Sequence, residues 1–206
     1  MFSRFSDDYG KTFGEEVIVS NPDLGACACC SLATDYKGSS DLIISYRSAI
    51  DGIGRHMQVL TLEDTNKGIT GAYYKEMNEL QEWEASFCPL STNDIERSGD
   101  QRWLVFETHN RIIKMELTSQ NQASAVGPPF TETRQKNPAL AINQEEEQLV
   151  VWGEAISHSR GGRLNMKLFH KDGSNAEYGF TEKIMITDYS FPAAAALTNN
   201  DFLVLY

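Results

Sequence analysis

No stretch of this 206-residue chain approaches the roughly 20 consecutive apolar residues of a membrane-spanning helix. An integral membrane protein of the helical kind is therefore excluded. Basic residues are also scarce, 18 Lys+Arg against 29 Asp+Glu, for a formal charge of −11. The cations form no run, so a nucleic-acid partner is excluded too, because phosphate binding is driven by clustered positive charge. The opening Met1-Phe2-Ser3-Arg4-Phe5-Ser6 has neither the basic start nor the apolar stretch of a secretory leader and is not read as one. Helical periodicity sustained over ten residues is missing, apart from a weak candidate between Tyr73 and Glu84.

Short runs of β-branched and aromatic residues fill the chain instead. Glu16–Val19, Leu42–Tyr46, Trp103–Phe106, Leu149–Trp152 and Phe202–Tyr206 are each bounded by Gly, Asn, Asp or Ser. At 41% hydrophobic and 23% charged residues the balance is globular, and the fold is expected to be all-β. The acidic triplet Glu145-Glu146-Glu147 is expected in a solvated turn before a strand.

An internal repeat organises these strands. Segments led by Cys30, Pro89, Pro138 and Pro192 each precede a hydrophobic run, at separations of 59, 49 and 54 residues. A unit of that size holds about four short strands, which is one blade of a β-propeller. Small residues in the leading segment suit a strand close to the axis on which blades converge.

A second marker runs in phase with the first. Ser6-Asp7-Asp8-Tyr9-Gly10-Lys11-Thr12-Phe13 has the pattern Ser-x-Asp-x-Gly-x-Thr-aromatic. Read physically it is a hairpin loop: Asp8 accepts backbone N–H groups, Gly10 takes positive φ, and Phe13 packs under the fold. Partial copies follow at Asp64–Thr70, Ser119–Ala123 and His170–Ser174, with central residues Asp8, Asn66, Asn121 and Asp172 spaced by 58, 55 and 51.

The pattern resembles the Asp-box of bacterial neuraminidase repeats, found in propellers of the sialidase superfamily. Ser6, Asp8, Gly10, Thr12 and Phe13 carry it. The box together with Cys27-x-Cys29-Cys30, Ala33, Tyr46-Arg47, Arg55 and Phe87-Cys88-Pro89 is similar to a group of sialidase-like exported bacterial proteins. In that group an Asp often follows the arginine at position 55, where this chain has His56. A Gly commonly precedes the Cys-Pro pair, where this chain has Phe87. The resemblance implies one sialidase-like propeller domain over residues 1–206, outside the cytoplasm, with Asp-boxes on the face away from the ligand site. It also implies missing preceding blades: a half-blade over 1–20, three whole blades, and a half-blade over 192–206. Either the two halves pair and close four blades, or the chain is part of a six-bladed disc. The second is favoured, and its open edges would invite self-association.

Ligand sites of such propellers form on the second-to-third strand loops and the blade connections. These are expected to gather Arg47, Asp51, Arg55, His56, Glu107, His109, Arg111, Glu154, His158 and Arg160. Arginines can pair bidentately with a sugar carboxylate, and a carboxylic acid can protonate a leaving oxygen. Arg47, Arg55, His109 and Arg111 are the candidate ligand binders, Glu154 and Asp51 the candidate catalytic carboxylates, and Trp83, between two glutamates, an exposed ring for stacking on a sugar. Sialidases use an arginine triad, a Tyr nucleophile assisted by Glu, and an Asp acid/base. No Tyr of this chain maps onto the nucleophile, and the first arginine and the acid/base loop of that set would lie upstream of Met1. Arg47 and Arg55 as salt bridges between blades is the competing structural use. Trp103 and Trp152 are expected in core packing between sheets.

With residues 26–33 as an inner strand, Cys27 and Cys29 share one face and Cys30 the other. Cys88, at the start of the equivalent strand, could lie near Cys29 or Cys30. A disulfide, a thiolate metal site and buried thiols are the three readings, and the spacing fits no standard zinc ribbon or finger. No histidine pairs with these cysteines as a catalytic dyad would need. No cofactor and no resident metal are expected. The functional expectation is a glycan- or ligand-binding propeller; the alternatives are an exo-sialidase-type hydrolase and a non-catalytic interaction scaffold.

Overall fold

The computed structural model describes residues 1–37, 41–63, 65, 74–118, 123–128, 133–155, 160–176 and 183–206. The chain falls into two compact units, Met1–Ala28 with Leu32–Cys88, and Cys29–Ser31 with Pro89–Tyr206. Among the described residues no helix is long and apolar enough to cross a membrane.

The first unit opens with an antiparallel pair, β1 (Phe2–Ser3) and β2 (Val17–Ile18), in register Phe2↔Ile18. A single 3-10 turn follows at Pro22–Leu24: Asn21 caps it by accepting the Asp23 N–H, and Pro22 supplies the preset φ. Gly25 ends the turn at φ 58, with the Ala49 carbonyl 3.3 Å from where a Cβ would stand. Only glycine fits that bend without strain.

A four-stranded antiparallel sheet then runs in sequence order through β3 (Ala33–Lys37), β4 (Asp41–Arg47), β5 (Met57–Leu62) and β6 (Tyr74–Gln81). Two expectations change here. The segment suspected of helix is strand β6, paired along β5. The inner strand begins only at Ala33, because Ala28 and Cys29 form a turn, so the cysteines do not alternate along a strand. Ile44, Tyr46, Leu60 and Leu62 form the unit's core with Val19, and Met1, Phe5, Ala26 and Leu42 pack against it.

The second unit repeats the same meander. One sheet contains β7 (Asn93–Ser98), β8 (Gln101–Thr108), β9 (Arg111–Glu116) and β10 (Ala123–Ala125); the next contains β11 (Arg134–Ile142), β12 (Gln148–Ala155), β13 (Gly162–Phe169) and β14 (Met185–Ile186). A final pair joins β15 (Ala193–Ala196) to β16 (Phe202–Leu205). Four-stranded antiparallel blades repeated in chain order make this an all-β, propeller-type fold.

Within the second unit the first strands of successive blades lie side by side. The Leu140 N–H donates to Asp94 Oδ2 at 3.0 Å, and the Thr92 hydroxyl to the Pro138 carbonyl at 2.9 Å. Pro138 is tolerated inside β11 because the register shifts between Lys136 and Ala139, with Asn137 at φ 52. Burial lifts the Asp94 carboxyl above its ordinary range, against the two backbone N–H groups that it accepts. The core between the two full sheets contains Trp103, Val105, Ile112, Val126, Leu140, Val150, Trp152 and Phe169. Both tryptophans are thus core residues. Glu145, Glu146 and Glu147 occupy the β11–β12 turn as expected, but they also bind: Asn200 donates to Glu145 and Ser98 to Glu146.

The Asp-box pattern forms the hydrogen bonds its residues imply. Asp8 Oδ1 accepts the Thr12 N–H at 2.9 Å and the Ser6 hydroxyl at 2.8 Å, and its Oδ2 accepts the Thr12 hydroxyl at 2.8 Å. Ser6 Oγ accepts the Gly10 N–H at 2.7 Å, with Gly10 at φ 80. Phe13 departs from expectation. It is 59% exposed, and Phe5, before the loop, packs on the core instead. The copy at His170–Ser174 follows β13, the third strand of its blade, and Ser174 N–H donates to Asp172 Oδ1 at 2.9 Å. The other two copies fall almost wholly outside the described residues.

Bonds from Thr12 and Ser6 hold the Asp8 carboxyl below its ordinary value of 3.8. A depressed acid loses its stabilising bonds as pH falls through the folded pKa. The Thr12 amide resonance is therefore expected to titrate with a midpoint below 3.8, and to lose that titration in Asp8→Asn. A two-dimensional NMR pH series checks it.

Candidate functional site

In the first unit the β4–β5 loop is built by tight turns and by pairing to the segment after β6. Asp51 and Gly52 take positive φ of 47 and 77, and Ile50 bridges Gly54. Ser48 closes the loop base, donating to the Gly54 carbonyl at 3.0 Å and accepting the His56 N–H at 3.0 Å. Arg55 N–H donates to the Trp83 carbonyl at 2.7 Å, and the Trp83 N–H to His56 Nδ1 at 2.9 Å. His56 thus ties the loop base to the segment after β6 through its Nδ1.

Arg47, Arg55 and Trp83 come together here, in a manner the sequence did not suggest. Trp83 is only 4% exposed, which corrects its reading as an exposed stacking ring. The Arg47 guanidinium lies 5.0 Å from the Trp83 ring centroid and donates to the Arg55 carbonyl at 2.8 Å. Phe87 meets the same ring edge-on, with centroids 6.0 Å apart. Arg55 bends back to the Gly52 carbonyl at 2.8 Å. Asp51 stands exposed at the loop tip.

In the second unit the corresponding turn is short. His109 and Asn110, at φ 48 and 61, make the two-residue turn between β8 and β9. Gln135 ties it to β11: its N–H donates to the Asn110 carbonyl at 3.0 Å, and its Oε1 accepts the Ile112 N–H at 3.0 Å. Arg111 reaches the Gly127 carbonyl at 3.5 Å. Glu154 pairs with Gln135 across the sheet and receives Trp152 Nε1 at 3.4 Å. It therefore shares a face with both. His158 lies outside the described residues.

The charged group at this end joins Glu107 and Arg160, which the sequence placed in the site, to Arg134, Lys136 and Asp188, which were not among its site residues. Glu107 is fully buried, and one of its oxygens accepts from Arg134 Nη2 at 2.7 Å and Nε at 3.2 Å. Arg134 Nη2 also donates to the Pro89 carbonyl at 3.2 Å. Lys136, two residues along β11, is 4% exposed and donates to the Arg160 carbonyl at 3.2 Å. Burial first, and the Arg134 charge second, pull its ammonium below the usual lysine range, while Glu107 and Asp188 push it back up. Asp188 Oδ1 accepts the Gly161 N–H at 2.7 Å, with Arg160 3.7 Å from its other oxygen. Three cations thus stand with two carboxylates. Such a group can hold an anion, or a carboxylate ready to exchange a proton. The signal for Lys136 was Asn137-Pro138, whose bulge turns the start of β11.

The cysteines divide into two forms. Cys29 and Cys88 are disulfide-bonded, whereas Cys27 and Cys30 carry thiols. Cys27 Sγ lies 3.6 Å from Cys88 Sγ.

No family model matches the chain, and no curated protein does. Among solved structures, a GH43_1 enzyme from Xanthomonas citri complexed with xylose is 11% identical, with a TM-score of 0.42 over 77% of this chain and 55% of its own. The same enzyme complexed with xylotriose gives the same figures. An exo-1,5-alpha-L-arabinanase from a bovine ruminal metagenomic library is 12% identical, with a TM-score of 0.42 over 98% of this chain and 84% of its own. The chain spans about half the length of the Xanthomonas enzyme, 55%.

Proposed function

We propose that this chain belongs to a sialidase-like propeller that acts outside the cytoplasm and binds an acidic glycan through the loop end of its blades. The observation that carries the reading is the charged group at the start of β11. Buried Lys136 and nearly buried Arg134 stand with buried Glu107, and the exposed pair Arg160–Asp188 lies beside them, so the cations exceed the carboxylates by one. A sugar carboxylate answers that excess, and bidentate arginine pairing would orient it. The Asp-box bonds at Asp8 support the sialidase-like assignment independently of the site.

Calorimetric titration with sialyllactose, with lactose as the neutral control, tests the reading. Binding of sialyllactose and none of lactose is expected. Lys136→Met should weaken it at least tenfold, about 1.4 kcal/mol, while circular dichroism shows an unchanged fold. Equal affinity for both sugars, or no heat with either, would overturn the proposal. A fluorogenic sialoside added to the same samples reports catalysis. Turnover that disappears in Glu154→Gln would make the protein a hydrolase with Glu154 as its working carboxylate.

A further inference from the structure

In the second unit a buried amine meets one half of a carboxamide whose other half is unused. Lys114 Nζ donates to Gln148 Oε1 at 2.6 Å and stands 3.8 Å from the Phe169 ring centroid and 4.3 Å from that of Trp103. A lysine ammonium only donates, so the carboxamide must turn its oxygen to it. Gln148 is 1% exposed, and among the described residues its Nε2 finds no hydrogen-bond partner. An unmet donor so deep is costly, and this one lies beside the lysine nitrogen.

The surroundings favour chemistry at that nitrogen. Lys167 Nζ bonds the Val126 carbonyl at 3.0 Å and stands 5.1 Å from the centroid of the same Phe169 ring. Asp172, in the turn after β13, is the acid whose charge Lys114 feels, and Glu116, two residues along β9, is held by Gln101 at 3.2 Å. Burial first, and Lys167 second, pull the Lys114 amine to about 8, so near that pH much of it is neutral and nucleophilic. Gly173 lacks the Cβ that would stand 3.8 Å from Nζ, and its neighbours Asp172 and Ser174 are exposed. The amine therefore lies against a solvent-facing turn.

We propose that Lys114 is a carbamate site, at which dissolved carbon dioxide adds to the amine and the product pairs with the whole Gln148 carboxamide. The nitrogen lone pair bonds to the carbon of carbon dioxide, one carbon–oxygen π pair moves onto oxygen, and the nitrogen gives a proton to solvent. Amine and carbon dioxide thus become carbamate and one proton, with no other reactant. The remaining N–H still donates to Gln148 Oε1, while a carbamate oxygen accepts from Nε2, as in a pair of amides. The Lys167 ammonium then faces an anion in place of a like charge. A reactant of three atoms and no charge suits an amine only 2% exposed.

The whole chain is equilibrated with ¹³C-labelled bicarbonate at pH 8 and its carbon spectrum recorded. A carbamate resonance is expected in the wild type and is lost in Lys114→Met, which keeps the α-amine of Met1 as an internal reference. Gln148→Leu, with Lys114 in place and circular dichroism unchanged, should lower that resonance at least fivefold. Identical spectra for the wild type and Lys114→Met overturn the proposal, and an undiminished resonance in Gln148→Leu overturns the pairing on which the site rests. Location is also read without any variant. Triethyloxonium ion converts carbamates to stable ethyl esters, and tandem mass spectrometry of the digest is expected to find the ester on Lys114. Esters on other amines alone would overturn the assignment.

Discussion

Replacing Glu107 with alanine is expected to cost about 3–5 kcal/mol of unfolding free energy. The carboxylate is fully buried and the guanidinium of Arg134 only 12% exposed, so neither charge is solvated by bulk water. Their attraction offsets the desolvation of both. Removing the acid alone leaves Arg134 facing Lys136, whose ammonium already feels its charge. Exchanging both partners for apolar residues of similar size, Glu107→Leu with Arg134→Met, is a different matter. It removes both desolvation costs and gives up, outside the pair itself, the bond to the Pro89 carbonyl. The double variant is expected within about 2 kcal/mol of the wild type. The exposed pair Arg4–Glu16, 3.7 Å apart with side chains 58% and 51% exposed, provides the contrast. Deleting it should change stability by less than about 1 kcal/mol, because water screens it. Urea denaturation of the four proteins measures all three differences. A double variant as unstable as Glu107→Ala would mean that shape, not charge, holds this corner together.

How far such a corner can be read in advance depends on which face a residue takes. Strands β4, β8 and β12 are buried along nearly their whole length, so they appear as continuous apolar runs, and the leading Pro or Cys marks each blade. The Asp-box was legible for a local reason: all its partners lie within four residues of Asp8 or Ser6. The local pattern misleads where a neighbour's character differs from the residue's own. Glu82 and Glu84 suggest an exposed Trp83 between them, yet the ring is buried. In extended chain, neighbours point the opposite way, so two exposed glutamates argue for a buried ring between them. Phe13 and Phe5 both flank the box, and only the hairpin pairing decides which faces the core; Gly14 N–H to the Phe5 carbonyl at 2.9 Å sets it. The inner strand expected over residues 26–33 is interrupted by the turn at Ala28 and Cys29. Strand β6 is held by its pairing with β5, which overrides local pattern. Buried lysines are the least legible feature. Lys136 hides behind a bulge, and Lys114 shares its phase with Ile112, which alternation alone would have turned inward.

Lys114 gives the second large effect. Its ammonium lies 3.8 Å from the Phe169 ring centroid and 4.3 Å from that of Trp103, and donates to Gln148 Oε1 at 2.6 Å. These contacts do not replace lost water: burial, helped by the charge of Lys167, pulls the group from 10.5 to about 8. A base depressed in the fold binds fewer protons there than in the unfolded chain between those two values. Stability must therefore rise as pH climbs from about 8 toward 10.5, and below 8 the buried charge is a standing cost of about 3 kcal/mol. Lys114→Met removes that cost but leaves Gln148 Oε1 without its donor, a loss of about 1 kcal/mol. The variant is expected to be more stable than the wild type by about 2 kcal/mol at pH 7. Its advantage should shrink as pH rises above 8, because the wild-type amine becomes neutral. Comparing the two proteins at each pH cancels the contribution of Tyr46, whose hydroxyl burial pushes up to about 12 and which weakens both at high pH. Urea midpoints for both proteins between pH 6 and 9.5 provide the test. A difference that stays constant across that range would mean that the rings and Gln148 hold the charged form as well as water does.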